Sequence, residues 1–157
     1  MGDHTESFQV DYDPSKITYA KLLDLFWESH NPCARSYSRQ YMSAVFYMTE
    51  EQKRAALDSM SRAEKTVGRI QTPILPLDRF YRAEDYHQKY YLRQHQALIR
   101  EFSAIYADPA AFADSTAAAR VNGYLAGDGS RDELVAEIDR LGLSADGRRE
   151  LLKAVAR

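Results

Sequence analysis

Bulky side chains occupy both faces of the run Tyr41–Met48, and few folds can bury such a segment. Met42, Ala44, Phe46 and Met48 alternate with Tyr41, Ser43, Val45 and Tyr47 at the two-residue period of a strand. Apolar groups on both faces call for cover on both, which predicts a central strand. Helical patterns flank it. Upstream, Leu22, Leu23, Phe26 and His30 share one face, so residues 19 to 29 read as an amphipathic helix. Thr18 suits its N-cap, Ile17 and Leu22 have the spacing of a hydrophobic staple, and Pro32 ends it. Downstream, Thr49-Glu50-Glu51-Gln52 is a capping box. The helix it opens runs to about Val67, where Gly68 stops it.

The remaining elements extend this helix-strand-helix frame. Phe8, Val10 and Tyr12 alternate with polar residues, which predicts a half-buried strand, and Asp13-Pro14-Ser15 is turn chemistry. Cys33 to Gln40 is a polar loop. Arg69 to Pro76 reads as a strand confined to an edge, because Pro73 has no amide to donate. A helix is expected from Ala83 to about Tyr106. The composition changes after Asp108-Pro109, becoming rich in Ala, Arg and Asp. Ser115, Ser130 and Ser144 have the setting of N-caps, Ser130-Arg131-Asp132-Glu133 is a second capping box, and Gly127-Asp128-Gly129 and Gly142 are breaks. The expected fold class is α+β: an α/β domain over 1–107, then a small helical subdomain over 108–157.

Composition excludes several function classes. A formal charge of −2 over 157 residues gives no electrostatic case for nucleic acid or an anionic membrane surface. No run of about 18 apolar residues is present, so no membrane span is expected. The first residues carry neither a basic nor an apolar leader, and Glu6 stands where a myristoylation motif wants Ser or Thr. The single cysteine, Cys33, permits no internal disulfide and no paired-cysteine metal or redox site. The expectation is a cytoplasmic protein without a metal or other cofactor.

Five words stand in a telling order: Gly2-Asp3-His4-Thr5-Glu6, the strand into Asp13-Pro14, Phe26-Trp27-Glu28-Ser29-His30-Asn31-Pro32, Gln40 to Tyr47, and Phe80 to Gln88. In order and approximate spacing they resemble the peptide methionine sulfoxide reductase A family, from Gly2 to about Tyr91. The resemblance implies part of a ferredoxin-like α/β sandwich. It also implies thiol-dependent reduction of methionine S-sulfoxide, free or in protein, with thioredoxin or another thiol as reductant. In that chemistry a cysteine thiolate attacks the sulfoxide sulfur and is left as a sulfenic acid.

Carried over residue by residue, the resemblance makes Glu6 the acid that hydrogen-bonds the sulfoxide oxygen and supplies a proton. A buried carboxyl would suit that role. Tyr41 becomes a second donor to the same oxygen. The family's Asp a few residues before this Tyr has no clear match; Ser36 or Ser38 stands near its place. The Gly-Cys-Phe-Trp word, bearing the nucleophile and the aromatic pair that holds the substrate methyl, does not occur in the chain. The resemblance puts it upstream of residue 1, so an N-terminally truncated family chain, inactive alone, is expected. The family's C-terminal recycling cysteines are absent too.

Each of these residues also has a structural reading. Glu6 reads equally as a solvated carboxylate, and Tyr41 as a core tyrosine with a satisfied hydroxyl. His30 reads as a helix-end cap, having no second metal ligand four residues away. Cys33 as a displaced nucleophile has only Arg35 near it in sequence to activate it. Glu84-Asp85-Tyr86-His87 reads as a helix start with favourably placed acids. The alternative function is a non-catalytic interaction module that works through the C-terminal helices or an exposed sheet.

Overall fold

The computed structural model describes residues 4–155. The chain divides into two compact units, Met1–Phe80 and Tyr81–Arg157. The architecture is α+β, rich in helix, with one small parallel sheet.

The first unit is built around a strand–helix–strand crossover. Helix α1 spans Tyr19–Glu28, strand β1 Val45–Tyr47, helix α2 Glu50–Val67 and strand β2 Ile74–Pro76. The strands run parallel, Val45 opposite Ile74 and Tyr47 opposite Pro76. Parallel strands need a long crossover, and α2 provides it. Leu23 and Trp27 of α1, Val45, Ala56 of α2 and Ile70 form the core, with Tyr19, Phe26, Met60 and Ile74 packed around it. Inside this core the Trp27 indole N–H donates to Ser59 Oγ at 3.0 Å, so no polar atom is stranded.

Local chemistry sets the helix ends. The Thr18 hydroxyl accepts from the Lys21 amide, and the Thr49 hydroxyl from the Gln52 amide. Gln52 reaches back one residue further than in a capping box, taking the Met48 amide at 2.7 Å. Gly68, at φ +89°, stops α2 as expected, its amide bonding the Glu64 carbonyl. Asp13 closes the turn before α1 by accepting the Ser15 amide at 2.8 Å. The Ser15 hydroxyl and amide hold its carboxyl below the usual aspartate range.

The second unit is helical. A 3₁₀ turn at Asp85–His87 precedes α3 (Tyr90–Arg93), α4 (Gln96–Ile105), α5 (Pro109–Asp114), α6 (Thr116–Ala126), α7 (Arg131–Glu137), a 3₁₀ turn at Ile138–Arg140, and α8 (Ala145–Val155). Leu92, Leu98, Phe102, Phe112, Val121, Leu134 and Leu151 fill one continuous core. Ser115, Ser130 and Ser144 each accept an amide from the first turn of the following helix, and Ser130 with Glu133 completes a capping box. Helix α6 ends in a Schellman motif: the Gly127 amide bonds Tyr124 and the Asp128 amide bonds Gly123.

Four expectations change. The alternation Phe8–Tyr12 does not form a strand, and Phe8 is 85% exposed. A two-residue period yields a strand only where a neighbour takes its amides, and the described residues supply none. The central strand is shorter, Val45–Tyr47, and among the described residues pairs on one side only; Met48 is exposed. The helix expected over 83–106 is broken, because Lys89 adopts a left-handed conformation at φ +55°. The units divide after Phe80 rather than after residue 107, because Leu98 and Phe102 of α4 share one core with α6 and α8.

Candidate functional site

The candidate residues converge on the loop between α1 and β1. Its first corner is tightly held. The Phe26 carbonyl, freed at the end of α1, accepts the Ser29 amide, the Ser29 hydroxyl at 2.8 Å and His30 Nδ1 at 2.8 Å. A carbonyl only accepts, so Nδ1 carries the proton. His30 Nε2 lies 3.0 Å from the Thr72 hydroxyl, which also lies 3.3 Å from the Pro32 carbonyl. That carbonyl takes the Gln71 amide at 2.8 Å and the Thr72 amide at 3.2 Å. His30 is thus the helix-end cap the sequence suggests, and the segment before β2 anchors the corner.

Cys33 follows the corner and is half-buried. Its amide bonds Asn31 Oδ1, and its sulfur donates to the Val67 carbonyl at the end of α2, 3.2 Å away.

Beyond Cys33 the loop folds on its own serines. Ser36 Oγ donates to the Ser38 carbonyl at 2.7 Å, and Ser38 Oγ accepts the Tyr41 amide at 3.3 Å. The loop then meets the N-terminal segment. Thr5 Oγ1 donates to the Arg39 carbonyl at 3.0 Å. The Glu6 amide donates to the Gln40 carbonyl at 2.8 Å, and Gln40 Nε2 donates to Glu6 Oε1 at 2.8 Å. Two segments separated by 34 residues are therefore joined by backbone and side-chain bonds at the same pair of residues.

Glu6 and the residue before Tyr41 are thus in direct contact. Both candidates are exposed, contrary to the buried carboxyl that the acid role suggested: Glu6 lies at the surface and Tyr41 is 58% exposed. Among the described residues the Tyr41 hydroxyl has no hydrogen-bond partner, so it is not the satisfied core tyrosine of the structural reading. Gly2 and Asp3, the start of the first word, lie outside the described residues. Gln40 is the residue that sequence reasoning left without a role. Its only signal was its place beside Tyr41.

From Tyr81 onward the last word belongs to the second unit. Asp85–His87 is an exposed 3₁₀ turn rather than the first turn of a long helix. Its polar groups meet locally: Glu84 lies 3.7 Å from His87, Asp85 pairs with Arg82 at 3.5 Å, and the Tyr86 ring packs on His87. Among the described residues no cluster of histidine, cysteine and carboxylate side chains is arranged to hold a metal ion. No helix there is long and apolar enough to cross a membrane.

The peptide methionine sulfoxide reductase family profile matches residues 1–117. The chain belongs to the peptide methionine sulfoxide reductase family. It is 40% identical over 153 residues to a peptide methionine sulfoxide reductase of Drosophila melanogaster, covering 94% of this chain and 60% of that one. It is 40% identical over 109 residues to peptide methionine sulfoxide reductase MsrA of Methanosarcina acetivorans, covering 63% and 58%. Against peptide methionine sulfoxide reductase A2 of Arabidopsis thaliana the figures are 40% over 97 residues, covering 58% and 44%. The chain spans three fifths or less of the length of these relatives. The fruit-fly match extends into the helical last third, so that part is not peculiar to this reductase-family chain.

Proposed function

We propose that this chain forms the sulfoxide-oxygen side of a peptide-methionine (S)-S-oxide reductase site and does not turn over by itself. The observation that carries the reading is the clamp between Glu6 and Gln40, which brings the acid-bearing word and the Tyr41 word to one place. In the full reaction a thiolate attacks the sulfoxide sulfur to form a transient S–S bond; that bond and the methionine S–O bond then break as the protonated oxygen passes to the cysteine sulfur, leaving methionine and a cysteine sulfenic acid. Two thiol equivalents, from thioredoxin or a small thiol, then return it to the thiol with release of water and formation of a disulfide. The oxygen must be hydrogen-bonded and protonated as its bond to sulfur weakens. Glu6 supplies that proton and the Tyr41 hydroxyl a second hydrogen bond.

The attacking sulfur is not Cys33, whose thiol is committed to the Val67 carbonyl. Thiols suffice as electron source, with no metal or organic cofactor, and the reading suits the reducing cytoplasm. The direct test incubates the purified chain with N-acetyl-methionine S-sulfoxide and dithiothreitol and follows methionine formation by chromatography. No turnover is expected. Turnover that disappears in Cys33→Ser would overturn the assignment and make Cys33 the nucleophile.

A second reading has its own support. Phe8 and Tyr37 are 85% and 93% exposed, and each strand of the two-stranded sheet has one side without a neighbour among the described residues. Such surface suits a non-catalytic interaction module. Light scattering on a size-exclusion column discriminates: a stable, compact monomer counts against an obligatory partner.

A further inference from the structure

We infer that Gln40 is the positioning residue for the Glu6 carboxyl group. The inference rests on the proposed sulfoxide-oxygen site. Three features carry it. Gln40 Nε2 donates to one specific oxygen of Glu6, Oε1, at 2.8 Å. The same two residues are tied through their main chains, Glu6 amide to Gln40 carbonyl, also at 2.8 Å. A second tie, Thr5 Oγ1 to the Arg39 carbonyl at 3.0 Å, fixes the neighbouring register. The segment carrying Glu6 belongs to no helix or strand, so these bonds rather than a ladder set where its carboxyl points.

The chemistry of the partner matters as much as its distance. A carboxyl that delivers a proton has to keep its orientation before and after it does so. A neutral amide N–H bonds the oxygen of either form, whereas Arg or Lys in that place would favour the ionised one. A glutamine therefore orients Glu6 through the whole step. Gln40 immediately precedes Tyr41, whose amide is held by Ser38 Oγ at 3.3 Å. The clamp thus fixes the acid relative to the backbone that carries the second donor.

The test measures binding, so it needs no turnover. The isotope-labelled full chain is titrated with N-acetyl-methionine S-sulfoxide, and resonance shifts give Kd. Gln40→Leu is expected to weaken binding about fivefold, the size of one net hydrogen bond. Gln40→Glu, which sets a like charge against Glu6, is expected to weaken it further. The Trp27 indole signal reports that each variant is folded. The deciding readout is the Glu6→Ala background, where Gln40→Leu is expected to cost nothing more, because Gln40 acts only through Glu6. A loss that persists in that background is a merely structural effect and overturns the inference. So does an unchanged Kd in Gln40→Leu. A wild-type chain that does not bind the sulfoxide at all overturns the site itself, and with it the inference, and is distinguishable from either result.

Discussion

Trp27 donates its indole N–H to Ser59 Oγ at 3.0 Å inside the core of the first unit, and the Ser59 hydroxyl in turn donates to the Ala56 carbonyl at 2.8 Å. Both side chains are buried, so the pair joins α1 to α2 where water cannot substitute. Ser59→Ala removes the acceptor and leaves the indole unsatisfied. The expected loss is about 1–3 kcal/mol. Trp27 is the only tryptophan, so denaturant unfolding followed by its fluorescence reports on this unit alone. An unchanged midpoint would show that the indole N–H finds another acceptor.

A second relationship lies in the helical unit. Glu101 of α4 accepts the Ser144 amide at 2.8 Å and the Ser144 hydroxyl at 2.6 Å, just before α8. Gly147, in the first turn of α8, makes room for it: a Cβ there would stand 2.6 Å from Glu101 Cδ. Gly147→Ala therefore pushes the carboxylate off Ser144. In the wild type that loss offsets the gain in helix propensity, and the net change is expected to be near zero or unfavourable. In a Glu101→Ala background nothing opposes the alanine, and stabilisation of about 0.5–1 kcal/mol is expected. Equal effects in both backgrounds, measured by thermal unfolding, would rule out the coupling.

These relationships mark what was legible in the sequence. The caps at Thr18, Thr49, Ser115, Ser130 and Ser144 were readable because capping chemistry is local, spanning three residues. Alternation at Tyr41–Met48, the cap at Thr49 and the stop at Gly68 made β1 and α2 readable, but the parallel pairing of β1 with β2 had no local signal. The Phe8–Tyr12 alternation misled because a strand is a property of two segments, and no partner stands beside this one among the described residues. The break at Lys89 carries no signal, since lysine rarely adopts a left-handed backbone. At the candidate site, resemblance named Glu6 and Tyr41. The Gln40 clamp and the Trp27–Ser59 pair join residues more than thirty positions apart, and no local pattern encodes them.

The capping box at α7 has an acid-side consequence. The Ser130 amide and hydroxyl both donate to Glu133, holding its carboxyl below the usual glutamate range. A depressed value means that the contribution to stability is present above the unfolded glutamate value. It is lost as pH falls through the folded one. Carbon-detected titration is expected to find Glu133 among the last glutamates to protonate on acidification. Ser130→Ala is expected to move its midpoint upward, because the hydroxyl donor is gone. A midpoint unmoved by that change would assign the depression to the backbone amide alone.

Tyr124 gives the matching prediction at high pH. Its hydroxyl donates to Glu137 Oε1 at 2.7 Å, and Glu137 also pairs with Arg120. Burial first, then this bond to a carboxylate, push the phenol up from its ordinary value near 10 to about 12. The neutral form is the one the fold favours. The associated stability is therefore fully present below about 10 and is lost as pH rises through about 12. Of the eleven tyrosines, Tyr124 is expected among the last to ionise when tyrosinate absorbance is followed on alkaline titration. Tyr124→Phe is expected to remove one high-pH step. Glu137→Gln keeps an acceptor but removes the charge, and is expected to move that step only part of the way down, because burial remains. A step that falls to about 10 in Glu137→Gln would show that the carboxylate, rather than burial, is the larger cause.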